Sequence, residues 1–140
     1  MEKPVKAAAH KTLRPKGWKR ASGYANGVAA SGEMIFVSGQ IGWNAEQVFE
    51  SDDFVEQTRQ ALKNIVAVLA EAGAGPEHIV RLTWYVTDKR EYLARGKEVG
   101  EAYRSVIGRH FPAMTLIEVR GLVEDAAKVE IEATAVLGAS

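Results

Sequence analysis

The chain has 140 residues, 46% of them hydrophobic, and its 18 Lys and Arg side chains balance 18 Asp and Glu side chains. This length fits one domain with a substantial core and leaves no room for two ordinary ones. The absence of cysteine excludes disulfides, thiolate metal ligands and a cysteine nucleophile. No apolar run approaches the roughly 20 residues of a membrane-spanning helix. The N-terminus also lacks the apolar segment of a secretory signal, so we expect a cytoplasmic protein with no membrane contact.

Positive charge is concentrated at the N-terminus. Residues 1–20 hold seven Lys and Arg side chains against one Glu, a net charge of +6 that the rest of the chain balances. A basic arm of this kind can bind nucleic acid. However, only Trp18 offers an aromatic ring on which a base could stack, so nucleic acid is not the expected partner. We predict a partly ordered basic arm at residues 1–20 and a single domain at residues 21–140.

The first half of the domain is predicted to hold two short strands and one long helix. The strands lie within residues 23–41, on either side of a Ser-Gly turn. Ser51 is predicted to cap the helix, which continues to about Ala72 with apolar residues at helical spacing. Gly73 suits the position just after a helix C-terminus.

The second half is predicted to alternate strands with one further helix. A strand at 79–87 is followed by a helix from Asp88 through Arg109 and by strands at 113–119 and 128–137. The element order is therefore β-β-α-β-α-β-β. Strands separated by helices imply parallel crossovers with both helices on one face of a sheet.

Two helices cover only one face of this sheet, so the other face would expose apolar side chains. Such a surface is too apolar to remain in contact with water. Burial against identical copies is the simplest remedy, and we therefore expect a homo-oligomer with a small-molecule cleft between its subunits. The apolar residues expected on the uncovered face are Met34, Phe36, Leu82 or Tyr85, Met114, Leu116 and Val136.

Six segments carry a combination of motifs found together in one protein family. They are GYANG at 23–27, MIFVSGQI at 34–41, QTRQALKNIVAVLAEAG at 57–73, VTD at 86–88, PAMTLIEVRGL at 112–122 and KVEIEATAV at 128–136. Over roughly residues 22–137, the chain resembles the RidA family, also called YjgF or L-PSP proteins.

The resemblance implies an α+β, chorismate-mutase-like fold: one mixed sheet with two helices on one face, assembled as a homotrimer with a ligand cleft at each subunit interface. The family's best-known activity is hydrolysis of reactive enamine and imine intermediates, such as 2-aminoacrylate, to a 2-keto acid and ammonia. Some members are described as endoribonucleases or translation inhibitors. No cofactor is implied, and the three histidines, His10, His78 and His110, show no spacing typical of a metal site.

Met114 is the main departure from the family pattern. In active members an Arg follows the Pro-Ala of this segment and binds the substrate carboxylate, whereas a thioether donates no hydrogen bond and carries no charge. Charge-assisted hydrogen bonds contribute roughly 1.5–3 kcal/mol each, so losing two weakens a small carboxylate ligand by orders of magnitude. Met114 is alternatively an apolar residue packed at an interface. A cation from a neighbouring chain, such as Arg14, Lys19 or Arg20, is another source of the missing charge.

Four further residues match positions of the family cleft. Glu130 matches the Glu that positions or activates the attacking water, and alternation along its strand places it on the face without helices. The backbone carbonyl of Leu116 matches one that faces the reacting nitrogen, and Tyr24 and Ser38 match residues that line the cleft. Structural roles are the alternative, such as a strand glutamate paired with a basic side chain or a hydroxyl bonded to backbone.

Trp43 lies in the loop after the second strand, where the family often has a small residue or Pro. Together with Met114 and Leu116 it would make the cleft more apolar than in active members, which favours a ligand with an apolar or aromatic part. Three functions stay open. They are an enamine or imine deaminase with altered substrate preference, a non-catalytic trimer that binds small metabolites, and an RNA-acting protein.

Overall fold

The computed structural model describes residues 10–138, which form six strands and three helices. A single 3₁₀ turn, Pro76–His78, precedes the fourth strand. In chain order the elements are β1 (Lys11–Leu13), β2 (Gly27–Ala29), β3 (Glu33–Ile41), α1 (Phe54–Glu71), β4 (Ile79–Val86), α2 (Lys89–Ala94), α3 (Gly96–Val106), β5 (Ala113–Glu118) and β6 (Val129–Leu137).

The four longer strands form one mixed sheet in the order β3-β6-β4-β5. β6 runs antiparallel to both of its neighbours, whereas β4 and β5 are parallel and are joined through α2 and α3. β3 and β4 are therefore also parallel to each other, and α1 makes the crossover between them. The structure confirms the predicted α+β fold with one mixed sheet and crossover helices.

A small antiparallel ladder of β1 and β2 stands apart from the main sheet, with Thr12 opposite Val28. The sequence did not predict β1, because a three-residue Lys-Thr-Leu stretch carries no strand pattern of its own. Residues 1–9 of the predicted basic arm lie outside the described residues, so the boundary of the arm at residue 20 stays a prediction.

α1 begins two residues later than the sequence predicted. Asp53, not Ser51, is the N-cap, and its carboxylate accepts a hydrogen bond from the Glu56 N–H at 3.1 Å. The Ser51 hydroxyl instead accepts from the Asp53 N–H at 3.0 Å and so orders the turn that leads into the helix. The predicted C-terminus is correct: Ala72 is the C-cap, and Gly73 follows with φ 74°, which glycine adopts without strain.

The second predicted helix is broken at Arg95 into α2 and α3. Arg95 has φ −115° and ψ 29°, outside the helical region. Its guanidinium bonds to Asp53 and to Glu98, each at 2.6 Å, and so ties the α2–α3 junction to the start of α1. The following Gly96 has weak helix propensity. One continuous helix was predicted because the tertiary contact with Asp53 leaves no local signal in the sequence.

The hydrophobic core lies between the sheet and the helices α1 and α3. α1 contributes Leu62, Ile65 and Leu69, which are fully buried and lie on its predicted apolar stripe. β4 and β6 contribute alternate residues, including Val86 and Ile131, which are fully buried too. Burial of each such side chain stabilises the fold by about 1.5–3 kcal/mol relative to exposure.

Met114 and Leu116 were predicted on the uncovered face but lie on the helix side of the sheet, as does Leu82, which was predicted only as an alternative to Tyr85. Leu82 is fully buried, and the parallel register pairs Leu82 with Met114 and Trp84 with Leu116. Paired residues of neighbouring strands point to the same face, so β5 presents Met114 and Leu116 to the helix side. The prediction was wrong because β5 carries apolar residues at both odd- and even-numbered positions. Its own pattern therefore does not determine which of them face the helices.

The uncovered face carries Met34, Phe36 and Tyr85 as predicted. Phe36 is 71% exposed and Met34 is 58% exposed. Val136 pairs with Met34 across the β3–β6 ladder but is buried, so it adds no apolar surface to this face. Glu130 also lies on this face, since its neighbours along β6 are buried against the helices.

Candidate functional site

A cavity of about 590 Å³ lies at the outer edge of the sheet, between β5, α3 and the segment that precedes β2. It brings together three residues that the sequence predicted for a ligand cleft, Tyr24, Met114 and Leu116. Four aromatic side chains and one arginine form much of the remaining wall. They are Trp84, Tyr92, Tyr103, Phe111 and Arg104.

Three aromatic rings of the wall contact one another in a row. The rings of Trp84 and Tyr103 have centroids 6.4 Å apart, and Tyr103 stacks on Phe111 at 5.7 Å with an interplanar angle of 17°. The Tyr103 hydroxyl donates to the His110 carbonyl at 2.5 Å, and His110 Nε2 donates to the Ile79 carbonyl at 2.7 Å. Burial raises the pKa of the Tyr103 phenol well above its usual value, so the hydroxyl remains a donor.

Backbone pairing places Tyr24 at the mouth of this cavity. The N–H of Ala25 donates to the Pro112 carbonyl at 3.0 Å, and Ala25 forms a parallel bridge with Ala113 at the start of β5. Gly23, just before Tyr24, has φ 79°, a left-handed conformation suited to glycine. The Tyr24 ring is 45% exposed, so it is available to contact a ligand that enters the cavity.

The carbonyl of Leu116 lies on the free edge of β5. The N–H and C=O groups of successive strand residues alternate between the two edges of the strand. The Val119 N–H donates to the Val86 carbonyl of β4, whereas the Pro112 carbonyl accepts from Ala25 on the opposite side. Both bonds place the even-numbered carbonyls of β5 on the edge away from β4. The Leu116 carbonyl is therefore oriented toward a ligand that lies along this edge.

Glu130 is on the other side of the sheet, next to Gly39 of β3. β3 carries a bulge between Val37 and Gln40, which shifts its register against β6 at this point. The glycine leaves room for the Glu130 carboxylate to lie across the neighbouring strand. Glu130 is half-buried, so its carboxylate remains able to contact water or a ligand.

A second glutamate on the same face has a structural partner. The Tyr85 hydroxyl donates to the Glu132 carboxylate at 2.7 Å across β4 and β6. Glu132, the larger influence, and Glu130 both raise the pKa of the Tyr85 phenol. Glu132 is thus paired, whereas no partner for the Glu130 carboxylate occurs among the described side chains.

Ser38 and Trp43 lie away from the cavity within one subunit. Ser38 is exposed on β3, where its hydroxyl accepts from Gln40 Nε2 at 3.4 Å. Trp43 packs against Phe49 with ring centroids 5.8 Å apart, and its carbonyl accepts from Asn64 Nδ2 at 2.8 Å. Their predicted places in a ligand cleft therefore require a second subunit and stay predictions.

A single subunit does not join the two halves of the predicted site. β5 and β6 are separated by β4, so Leu116 and Glu130 are two strand spacings apart, about 9.5 Å. Their side chains also point to opposite faces of the sheet. A small ligand in contact with the Leu116 carbonyl thus cannot reach Glu130 of the same chain.

A second cavity, of about 1060 Å³, adjoins the first and shares Tyr24 with it. Arg14, Arg20 and Arg109 line this second cavity. Arg14 and Arg20 were predicted as alternative sources of positive charge for the ligand. Within the subunit they line the neighbouring cavity rather than the one that holds Met114.

The three histidines hydrogen-bond to backbone groups. His78 Nδ1 accepts from the Gly75 N–H at 2.9 Å, and His10 Nε2 donates to the Val136 carbonyl at 3.0 Å. Between residues 10 and 138, no group of three His, Asp or Glu side chains is placed to hold a metal ion. None of the helices in that range could span a lipid bilayer.

Comparison with known proteins identifies the family. The family model described as Endoribonuclease L-PSP matches residues 16–137 of this chain. The chain belongs to the RidA/YjgF/L-PSP family. A Rid-family protein of Yersinia pestis, YyfB, has a solved structure that superposes with a TM-score of 0.82 at 30% identity, covering 91% of this chain and 98% of that one.

Two relatives are similar to this Rid-family chain over most of its length. A RutC family protein of Aquifex aeolicus is 37% identical over 122 residues, which cover 87% of this chain and 94% of the relative. The 2-iminobutanoate/2-iminopropanoate deaminase of Escherichia coli K12 is 35% identical over 130 residues, which cover 90% and 97%.

Most of the cavity wall was not predicted from the sequence, including Arg104 and Trp84. Gly96, Gly100 and Arg104 recur every four residues, which places them on one face of α3, and this spacing was the available signal for Arg104. Trp84 was interpreted only as a strand residue, because nothing in its local pattern shows that its ring reaches a cavity.

Proposed function

We propose that this Rid-family chain hydrolyses 2-imino acids, or their enamine tautomers, in a cleft that a neighbouring subunit of a homotrimer completes. The deaminase of E. coli supports the reaction class, since it aligns with 90% of the chain. The observation that carries the proposal is the free-edge carbonyl of Leu116 beside an apolar cavity, in a fold that also presents the Glu130 carboxylate at the surface.

The reaction needs a base for water and a group that favours the protonated nitrogen. Glu130 accepts a proton from water while the water oxygen bonds to the imine carbon and the C=N π electrons move to nitrogen. The Leu116 carbonyl accepts a hydrogen bond from the nitrogen and so favours the more electrophilic iminium form. Glu130 then returns this proton to the nitrogen of the resulting carbinolamine. The C–N bond breaks, its electron pair leaves with ammonia, and the hydroxyl proton passes back to the Glu130 carboxylate as the C=O bond forms. Imine and water thus give a 2-keto acid and ammonia.

Assembly of identical subunits is part of the proposal for two reasons. Within one chain, Glu130 and the Leu116 carbonyl are too far apart to act on one small substrate, so a partner chain must supply one of them. The uncovered face of the sheet also exposes Met34 and Phe36, and apolar surface of this kind favours burial against another copy.

The wall of the cavity favours substrates with an apolar or aromatic side chain. We interpret Met114 as the residue that stands where active family members bind the carboxylate with Arg, and Leu116 and Phe111 continue the apolar wall. At roughly 25 cal/mol per Å² of buried apolar surface, a phenyl group that buries about 100 Å² gains about 2.5 kcal/mol. That gain partly offsets the weaker grip on the carboxylate.

The test is turnover of 2-imino acids made in situ from amino acids by an L-amino-acid oxidase, with semicarbazide trapping the imine that is left. Wild type should accelerate loss of the imine, and Glu130→Gln should lower kcat about 10²–10⁴-fold. Glu132→Gln is the matched control, since it removes the same charge two residues away on the same face and should keep most of the activity. Equal activity of wild type and Glu130→Gln would refute the proposed role.

Binding without turnover is the second candidate function, and Met114 favours it because a thioether contributes no charge to substrate activation. In that case wild type would bind keto-acid products such as phenylpyruvate but would leave the rate of imine loss at the uncatalysed value. Met114→Arg would then be needed to produce turnover.

A further inference from the structure

Arg104 is the charged residue in the wall of the 590 Å³ cavity, and the other wall residues of the described chain are neutral. Within residues 10–138 its guanidinium has no carboxylate within 4 Å. Two other arginines on the same side of the molecule are paired: Arg59 with Glu56 at 3.2 Å and Arg95 with Asp53 at 2.6 Å. The cavity therefore presents one positive charge that the subunit does not neutralise.

The position of this guanidinium depends on a glycine one turn earlier. A Cβ built at Gly100 would lie 3.1 Å from Arg104 Nη1, so the arginine folds back along α3 over the glycine. Gly96 and Gly100 both belong to the cavity wall. The absence of side chains at these two positions, one turn apart on the same face of α3, leaves space for a ligand.

Trp84 lines the same cavity and carries a buried polar group. The residue is only 4% exposed, and its Nε1 has no hydrogen-bond partner among the described residues. A buried N–H without an acceptor is unfavourable, and an oxygen atom of a ligand would remove that cost. Arg104 is exposed, whereas neighbouring atoms cover the Trp84 Nε1, so a ligand oxygen reaches it only when the Trp84 ring moves.

We propose that this cavity binds the carboxylate of an aromatic or branched aliphatic acid, with Arg104 as its cationic partner and the Trp84 indole N–H as a second donor to a ligand oxygen. The rings of Tyr103 and Phe111 and the side chain of Met114 contact the apolar part of the acid. A single guanidinium matches one negative charge, and its planar fork suits a carboxylate. This inference deepens the proposed function because it names the substrate class. It rests on the proposed function only for the hydrolysis of the bound acid, not for its binding.

The probes are phenylacetate, its neutral isostere phenylacetamide, and acetate, measured by titration calorimetry on the full chain. Phenylacetate should bind at least tenfold more tightly than either of the others. Arg104→Gln should remove the preference for phenylacetate over phenylacetamide, and Arg104→Lys should retain part of it. Arg90→Gln, which removes an exposed charge outside the cavity, is the matched control and should change nothing. Equal binding of acid and amide to wild type, or unchanged binding by Arg104→Gln, would overturn the inference.

The role of Trp84 has its own readout. The indole N–H resonance of Trp84, assigned by elimination with Trp18→Phe and Trp43→Phe, should shift downfield when phenylacetate binds and should not respond to acetate. A resonance that stays in place at saturation would remove Trp84 from the site. This readout uses protein in which Trp84 is intact.

These probes contain no imine, so binding and turnover are separable. Arg104-dependent binding of phenylacetate by a protein that hydrolyses no imine would retain this inference and refute the proposed function. If Arg104→Gln left imine hydrolysis unchanged and wild type did not prefer phenylacetate, the proposed function would be retained and this inference would be refuted.

Discussion

The carboxylate of Glu130 lies directly against the backbone of Gly39, where a Cβ would come within 2.7 Å of Oε2. Contacts this short between a Cβ and a side-chain oxygen force one of them to move, and the flexible glutamate is the group that moves. The position of the proposed base thus depends on the missing side chain of a residue on a neighbouring strand.

Gly39→Ala should separate catalysis from folding. Alanine is favoured over glycine by roughly 0.5–1 kcal/mol inside a strand, which offsets the displacement of Glu130, so the melting temperature should change by only a few degrees. Turnover of 2-imino acids should fall at least tenfold because the carboxylate leaves its position. Gly121→Ala, where a Cβ meets no atom within 4 Å, should preserve activity. Full activity of Gly39→Ala would show that the placement of Glu130 does not matter.

Met114→Arg should change which substrates are used. A guanidinium at this position of the cavity provides charge-assisted hydrogen bonds to a carboxylate, so turnover of 2-iminopropanoate should rise at least tenfold. The longer polar side chain also occupies apolar space, so turnover of the imine made from phenylalanine should fall. Steady-state kcat/KM for both substrates measures the change, and a decrease for both would argue against our interpretation of Met114.

Phe36→Glu should dissociate the assembly. A carboxylate on the uncovered face cannot be buried against a second copy without a large desolvation cost. Sedimentation should therefore show a species of 15.2 kDa, the mass of one chain, in place of the homotrimer that we propose for the wild type. Leu93→Glu is the control, since Leu93 is as exposed as Phe36 but lies on α2. If Phe36→Glu remained trimeric, this face would not be the interface.

The pair of Asp53 and Arg95 should make stability depend on pH in the acid range. The Arg95 hydrogen bond is the main cause that lowers the pKa of Asp53 below its ordinary 3.8. The stabilisation by the ionised form is present above pH 3.8 and is lost as the pH falls through the lower pKa of the folded state.

Asp53→Asn keeps a good N-cap and removes only the charge, so it should cost about 0.2–1 kcal/mol at pH 7. The difference in unfolding free energy from wild type should shrink below pH 3.8. Asp52→Asn, at the exposed neighbouring position, is the reference variant. A deficit of constant size from pH 7 to pH 2.5 would exclude the ion pair as its cause.

Local chemistry made much of the fold predictable. Gly73 ended α1 where a left-handed residue was expected, and the alternation in β6 correctly placed Glu130 on the uncovered face. The crossovers through helices also followed from local periodicity. These features depend on residues close together in the sequence.

The errors arose where distant residues decide the structure. Arg95 breaks a helix because it bonds to Asp53, 42 residues earlier, and the helix-side orientation of Met114 follows from its register against Leu82. Arg104 belongs to the cavity wall because α3 and β5 both contribute residues to it. The spacing of Gly96, Gly100 and Arg104 along α3 was a local signal, but the Asp53 contact and the β5 register leave none, so the cavity itself became visible only in three dimensions.

Substrate preference is the most direct test of the whole account. The measurement is kcat/KM of the wild-type protein for the imine made from phenylalanine relative to 2-iminopropanoate, with each imine generated in situ. The apolar wall around Met114 and the position of Arg104 predict at least a tenfold preference for the aromatic substrate. Efficient hydrolysis of 2-iminopropanoate with no such preference would contradict the account.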